Sequence, residues 1–263
     1  MEVTLEPLKG LKIVLTGNRT DNRTSQTQFM NSDNNVMYSG SYTKTHMAIA
    51  TALRSCSSRN GYESAAFNAF LDNIDIVAER LNQQYEGQTM PDKGFIKGTK
   101  YVGQKFDRAE SGVNKMSSDV LIPAFVAAYS GKSASKVDLN PFPSIKAILP
   151  NWRLTYDGLS KMEAVKKFFK SFTLTHAYQC TYSVGSYSSY TEWVSIGKNM
   201  GFALDAVGNK PYASSPYNIA SVTMTEKFAP LVGVNATMNN NITFNAEYRD
   251  SRTLTLNSSA GQV

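Results

Sequence analysis

The chain has 263 residues, enough to bury a sizeable core in one or two domains, so size excludes little. Only 18% of residues are charged, while Asn, Ser, Thr and Tyr abound, which argues against a long-helix protein or a charged disordered tail and suits polar-faced strands. The net charge of +6 is scattered in ones and twos with no basic helix or aromatic RNA-binding motif, which excludes an evident nucleic-acid footprint.

Leu11, Ile13 and Leu15 alternate with Lys12 and Thr16, with Val14 as the exception, so the chain opens on a strand with one apolar face. Residues 18–35 are almost wholly polar and read either as a solvent-facing strand extension or as a mobile loop. Strand character returns over 36–53, where Met37, Ser39, Ser41 and Thr43 oppose Tyr38 and Tyr42.

Between Asn60 and Tyr85 the period lengthens to about 3.6. Phe67, Phe70 or Leu71, Ile74, Val77 and Leu81 form a stripe, and Asp72, Asp75, Glu79 and Arg80 point away from it. Asn60, with Glu63 three residues on, predicts the N-cap of this helix. The glycine-rich stretch 86–117 has no period and reads as a long loop. Ser118-Asp119 predicts the cap of a second helix, ending at Gly131 with Pro123 in its first turn. That helix is apolar nearly all round but too short to cross a bilayer, so it belongs inside protein.

Pro141, Pro143 and Pro150 then forbid regular structure and lead into Trp152 to Tyr156, which alternates as a strand. Ser160 to Glu163 has the form of a capping box opening a short helix near 160–170. Residues 171–187 alternate without a break: Phe172, Leu174, His176, Tyr178, Cys180, Tyr182 and Val184 share one phase, a run well beyond the usual strand length. Alternating runs at 222–228, 232–238 and 242–249, a turn at 238–241, and a new strand at Leu254 and Leu256 complete an antiparallel meander.

The motifs that could carry chemistry are lookalikes. Gly131-Lys132-Ser133 resembles the end of a phosphate loop but follows a helix, and Val126 stands where a glycine is required. His46 and His176 lie in different strands without a catalytic context, and His176 falls on an apolar face, as a buried or interfacial histidine would. Cys56 and Cys180 have no metal or redox spacing and read as two unpaired thiols. Asp72 and Asp75 belong to a solvated helix face, and the Asn-x-Ser/Thr sequons at Asn18, Asn22, Asn235, Asn241 and Asn257 read as composition. No catalytic, metal-binding or cofactor-binding residue is assigned, and no enzyme activity is expected; the residues that would bind a substrate or partner stay unassigned. The first residues carry no secretory signal and no run approaches eighteen apolar residues. Both absences suit a cytoplasmic protein and equally an internal piece of a larger exported one.

Strands with one apolar and one polar face fit either a β-sandwich or a transmembrane barrel with a polar lumen. Long strands, aromatic residues near strand ends (Tyr178, Tyr182, Tyr187, Tyr190, Trp193) and uneven loop lengths favour the barrel.

The segments TLEPLKGLKIVLTGNRT, SDVLIPAFVAAYSGKSASKVDLNPFPSIKAILPNWRLTYDGLSK, KSFTLTHAYQCTYSVGSY and EKFAPLVGVNATMNNNITFNAEYRDSRTLTLN resemble successive parts of the SprA/Sov family. These are the outer-membrane translocons of the type IX secretion system and gliding motility machinery of Bacteroidota. The resemblance covers nearly all of the chain and is weakest at 20–45, 86–117 and 194–217.

It implies an internal fragment or partial gene product of a single-chain barrel of about 36 strands, located in the outer membrane at the cell surface. Residues 1–53 and 151–263 would be barrel wall and 54–150 a helical and loop insertion packed inside or capping the barrel. The implied partners are outer-membrane lipid, secreted cargo proteins, and the plug and shuttle proteins of the secretion system. The implied function is passage of folded cargo through a gated pore without bond chemistry. The alternatives are a soluble β-rich surface adhesin or carbohydrate-binding module and, more weakly, a hydrolase on a β scaffold.

Overall fold

The computed structural model describes residues 1–27, 36–53, 64–205 and 207–258. The protein is mainly β with antiparallel sheets. The main sheet contains β1 (Glu2–Leu8), β2 (Leu11–Thr16), β3 (Arg19–Thr27), β4 (Val36–Thr45), β5 (Asn151–Tyr156), β6 (Phe169–Ser189), β10 (Tyr217–Ile219), β11 (Ser221–Met238) and β12 (Thr243–Asn257).

Its register resolves these strands into fewer lanes. β2 runs on into β3, and this continuous line pairs first with β5 (Leu11 opposite Tyr156, Thr16 opposite Asn151) and then with β4 (Arg19 opposite Lys44, Thr27 opposite Val36). β6 repeats the pattern, meeting β5 through Tyr178 and β4 from Thr181 onward. β4 and β5 therefore occupy one lane, which the chain leaves after Thr45 and re-enters at Asn151. The polar stretch from residue 18 is thus a strand extension as far as Thr27; the rest of it, 28–35, lies outside the described residues.

Breaking a lane exposes backbone groups on its neighbours, and each is met. The Asn151 side chain accepts from Cys180 N–H at 2.8 Å, His46 N–H donates to the Cys180 carbonyl, and Thr45 N–H donates to the Asn18 carbonyl. On the other side of β6 run β10 and β11 in one lane, then β12. The sheet is an open up-and-down meander with β1 and β12 at its edges.

The excursion between Thr45 and Asn151 holds α1 (Ile49–Ala52), α2 (Ala65–Tyr85), α3 (Arg108–Ser111) and α4 (Ser118–Ser130). The strand expected over 36–53 thus stops at Thr45: past it the alanine-rich Met47 to Ala52 has no ladder to join and favours helix. Ser64 caps α2, its hydroxyl accepting from Phe67 N–H, while the expected cap at Asn60 and Glu63 lies outside the described residues. Phe70, Ile74 and Val77 are the buried stripe, whereas Phe67 and Leu71 are more than a third exposed.

α4 is buried on all sides except at Val126 and ends on Gly131 at φ +65°. It begins earlier than its apolar run suggests: Ser117, not Ser118-Asp119, is the N-cap, and Pro123 lies inside the helix, not in its first turn. Asp119 is diverted to a tertiary role described below. Residues 86–117 contain a 3-10 turn at Gly94–Ile96, α3 and a Thr89–Lys105 bridge.

Two other expectations change. Ser160 does not form a capping box; its hydroxyl donates to the Asp157 carbonyl, a 3-10 turn occupies Gly158–Lys161, and only α5 (Glu163–Lys166) follows before β6 begins. The C-terminal runs are two long strands, not four short ones: a bulge around Pro230 interrupts the ladder between Phe228 and Val232, and pairing resumes with the apolar phase on the same face. The weakly patterned stretch 193–214 forms a small separate sheet, β7 (Trp193–Gly197), β8 (Met200–Asp205) and β9 (Lys210–Ser214).

Candidate functional site

Directly opposed residues of an antiparallel sheet share a face, so the register sorts the whole meander. One face is largely polar, with rows such as Thr20–Thr43–Ser183–Thr223–Thr255 and Lys12–Thr155–Thr175–Gly233–Glu247. Val14 is an apolar exception on this face, opposite Arg153.

The other face is apolar and divides in two. In its upper half the row Tyr42–Val184–Val222–Leu256 is at most 1% exposed, because the helical insertion and the prolines lie over it. Tyr42 Oη donates to the Pro143 carbonyl at 2.6 Å, Tyr182 Oη donates to the Pro141 carbonyl at 3.2 Å, and Phe142 packs between Tyr42, Tyr187 and Tyr217. The prolines hold an extended path whose carbonyls are free to receive these hydroxyls. Tyr178, Tyr182 and Tyr187 are accordingly buried beneath the insertion and its approach, and do not form a surface girdle.

In the lower half the row Leu5–Ile13–Leu154–His176, with Val3, Leu15, Phe172, Leu174, Val232, Phe244 and Tyr248, lies beyond the insertion, whose start at Met47, Ala48 and Ala52 packs with Trp152 and Tyr178 at the belt's upper margin. Val3, Leu5, Val232, Phe244 and Tyr248 are exposed, from 39% to 66%. From Phe172 to Tyr178 the belt spans seven residues of β6, roughly 23 Å at about 3.3 Å per residue.

The second insertion, β7 to β9, packs on the first and leaves the belt bare. Tyr85 Oη donates to the Gly201 and Ser214 carbonyls, and burial pushes its pKa up. Asp119 accepts from Ser215 N–H at 2.8 Å, Ser215 Oγ at 2.6 Å and Ser214 Oγ at 3.3 Å. Burial raises the Asp119 pKa and those hydrogen bonds oppose the rise.

Where belt gives way to insertion, a buried polar cluster ties the two together. Glu226 is 2% exposed and stands on the apolar face opposite Cys180 and Arg252. Arg252 Nε donates to Glu226 Oε2 at 2.7 Å, Nη1 to the Thr51 carbonyl at 2.8 Å, and Nη2 to Thr51 Oγ1 at 2.8 Å and the Ala48 carbonyl at 3.2 Å. Tyr178 Oη donates to Glu226 Oε1 and accepts from Ala48 N–H. One carboxylate thus holds, through one guanidinium and one phenol, the first helix of the insertion against three strands. We call this cluster the latch. Both charges stand in the apolar phase of their strands, Glu226 between Met224 and Phe228 and Arg252 before Leu254, a sequence signal that alternation alone could have flagged.

His176 keeps to the apolar face as expected and is half-buried. Its Nδ1 lies 2.7 Å from the Leu231 carbonyl, so Nδ1 carries the proton and satisfies a carbonyl freed by the bulge. His46 is buried with Nε2 2.6 Å from Ser130 Oγ, far from His176 in the chain, and burial together with Lys44 and Lys132 lowers its pKa to about 3. Cys180 is a buried free thiol and Cys56 lies outside the described residues. Gly131-Lys132-Ser133 is the end of α4 and the turn after it. Asp72 and Asp75 are exposed on α2, with Asp75 paired to Lys115.

Among the described residues, no group of three or more His, Cys, Asp or Glu could hold a metal ion, and no helix is long and apolar enough to cross a membrane. No family model matches the chain, and no curated protein matches it.

Proposed function

We propose that the chain is a stretch of wall from a large outer-membrane β-barrel that conducts folded cargo proteins, the role implied by its resemblance to the type IX translocons. The observation that carries this reading is the divided apolar face: a bare belt opposite a largely polar face. An outer-membrane apolar band is about 25 Å tall, and the belt runs roughly 23 Å along β6. Among the described residues no second sheet lies over the belt, and β7 to β9 pack on the helical insertion.

In this reading lipid meets the belt and the Thr, Ser and Asn rows line the lumen. The insertion then docks on the outside of the wall above the membrane, not within the pore, because it lies on the apolar face. Connections at the belt end are the tight β1–β2 and β11–β12 hairpins and the segment 157–168, while the long excursions leave from the upper half. Outer-membrane barrels carry short periplasmic turns and long outer loops, which puts the insertion outside the cell. The open edges of β1 and β12 require neighbouring strands, since a bilayer satisfies no free backbone edge.

The test is fractionation of cells producing the parent protein, followed by a secretion assay with residues 151–257 deleted. The reading expects the protein in the outer membrane and cargo retained inside the cell. Unimpaired export, or a soluble parent protein, would contradict it.

A further inference from the structure

We infer that the cavity floored by Lys44 binds a small amphipathic carboxylate, a molecule with one anionic head and a short apolar body. The cavity has a volume of about 270 Å³ and lies between β4, α4 and the proline segment. Ile122, Val126, Pro143 and Leu149 give it carbon walls, and Lys44, His46, Lys132 and Lys136 all border it.

Lys44 is 6% exposed, and among the described residues it has no ion pair. Among the described residues its ammonium has one hydrogen bond, to the Ala147 carbonyl at 3.3 Å, and it lies 6.0 Å from the Tyr182 ring centre. A buried ammonium with two of its three donors unused is costly unless an anion joins it. A second group is also unmet: His46 Nδ1 is buried without a hydrogen-bond partner, while Nε2 is engaged by Ser130. The single carboxylate on the rim, Asp138, accepts from Asn140 N–H in its own turn.

Three cations against one carboxylate select an anion, and the carbon walls select a body that water does not hold. A phosphate dianion would gain the charge but leave the walls unused, whereas a carboxylate with an alkyl tail uses both. At about 30 Å³ per water-sized unit, the cavity holds a carboxylate of roughly six to eight carbons. Binding in this cavity does not depend on whether the belt meets lipid.

The experiment is calorimetric titration of the whole chain, kept in solution by a non-ionic amphipathic polymer, at pH 7. Octanoate is expected to bind once per chain with submillimolar Kd, and octanol and inorganic phosphate at least tenfold more weakly. Lys44→Met, which keeps the length and removes the charge, is expected to weaken octanoate at least tenfold without lowering Tm. Lys132→Met, an exposed rim change that leaves the core intact, is expected to weaken it two- to fivefold. Equal octanoate affinity in K44M would mean partition into apolar surface and would overturn the inference. So would the absence of saturable binding, or phosphate binding as tightly as octanoate. If K44M does not fold, K132M decides, and unchanged affinity there overturns the inference.

Discussion

Replacing Arg252 by Met should loosen the insertion from the wall far more than an ordinary surface change does. The substitution removes the 2.7 Å bond to Glu226 and three bonds to the carbonyls and hydroxyl of Ala48 and Thr51. It leaves the Glu226 side chain, 3% exposed, with only the Tyr178 hydroxyl. Breaking a buried pair from one side costs about 3–5 kcal/mol, because the remaining charge is stranded. Glu226→Gln strands less, since Arg252 keeps its acceptors on the insertion, and should cost about 1–3 kcal/mol. The double variant R252M/E226Q contains no stranded charge and should be more stable than R252M alone. Trp152 stacks on Tyr178 at 4.5 Å, so urea unfolding followed by tryptophan fluorescence reads the latch directly. Additive effects within about 0.5 kcal/mol, or an R252M cost below about 1 kcal/mol, would refute the reasoning.

Leu174→Arg should prevent stable membrane assembly, costing about 2–4 kcal/mol if its position is near the bilayer midplane, while Thr173→Arg on the polar face should be tolerated; heat-modifiable gel mobility of the membrane-inserted protein separates them. His46 has a folded pKa of about 3 against the ordinary 6.5, so its contribution to stability is complete above pH 6.5 and lost as pH falls toward 3. Replacing it by Gln should flatten the acid side of the stability profile by up to about 1.4 kcal/mol per pH unit, measured by urea midpoints between pH 6.5 and 4. Asp119→Ala leaves Ser215 N–H and the Ser215 hydroxyl without their acceptor and should cost about 2–3 kcal/mol, whereas Asp119→Asn keeps an acceptor and removes a buried charge, so it should cost less than half as much. Thermal melts followed at Trp193, whose indole N–H donates to the Ser214 carbonyl, rank the two.

The parts of this architecture legible in the sequence are those set by local period. The phase of Phe172 to Val184 is the phase that forms the apolar face, and the all-round apolar run at 120–129 is a buried helix. What escaped was decided between residues distant in the chain. That β4 and β5 share a lane depends on Thr45 and Asn151 meeting at the same point of β6, which no local pattern encodes. The runs 222–228 and 232–238 read as separate because the stretch between them does not alternate, yet the ladder carries them as one strand across a bulge. The small sheet over 193–214 has strands of five or six residues, too short for period to outweigh its glycines and turns. The Lys44 cavity was invisible for the same reason as the shared lane: its floor and roof are separated by about a hundred residues.

The most direct measurement is a spin-label scan along β6 in outer membranes, with Cys56 and Cys180 first replaced by Ala. The account predicts that labels at 172 and 174 are accessible to oxygen dissolved in lipid and those at 173 and 175 to a water-soluble nickel reagent. It also predicts that oxygen access disappears at 182 and 184, where the insertion covers the wall. Nickel access at 172 and 174 equal to that at 173 and 175 would contradict it.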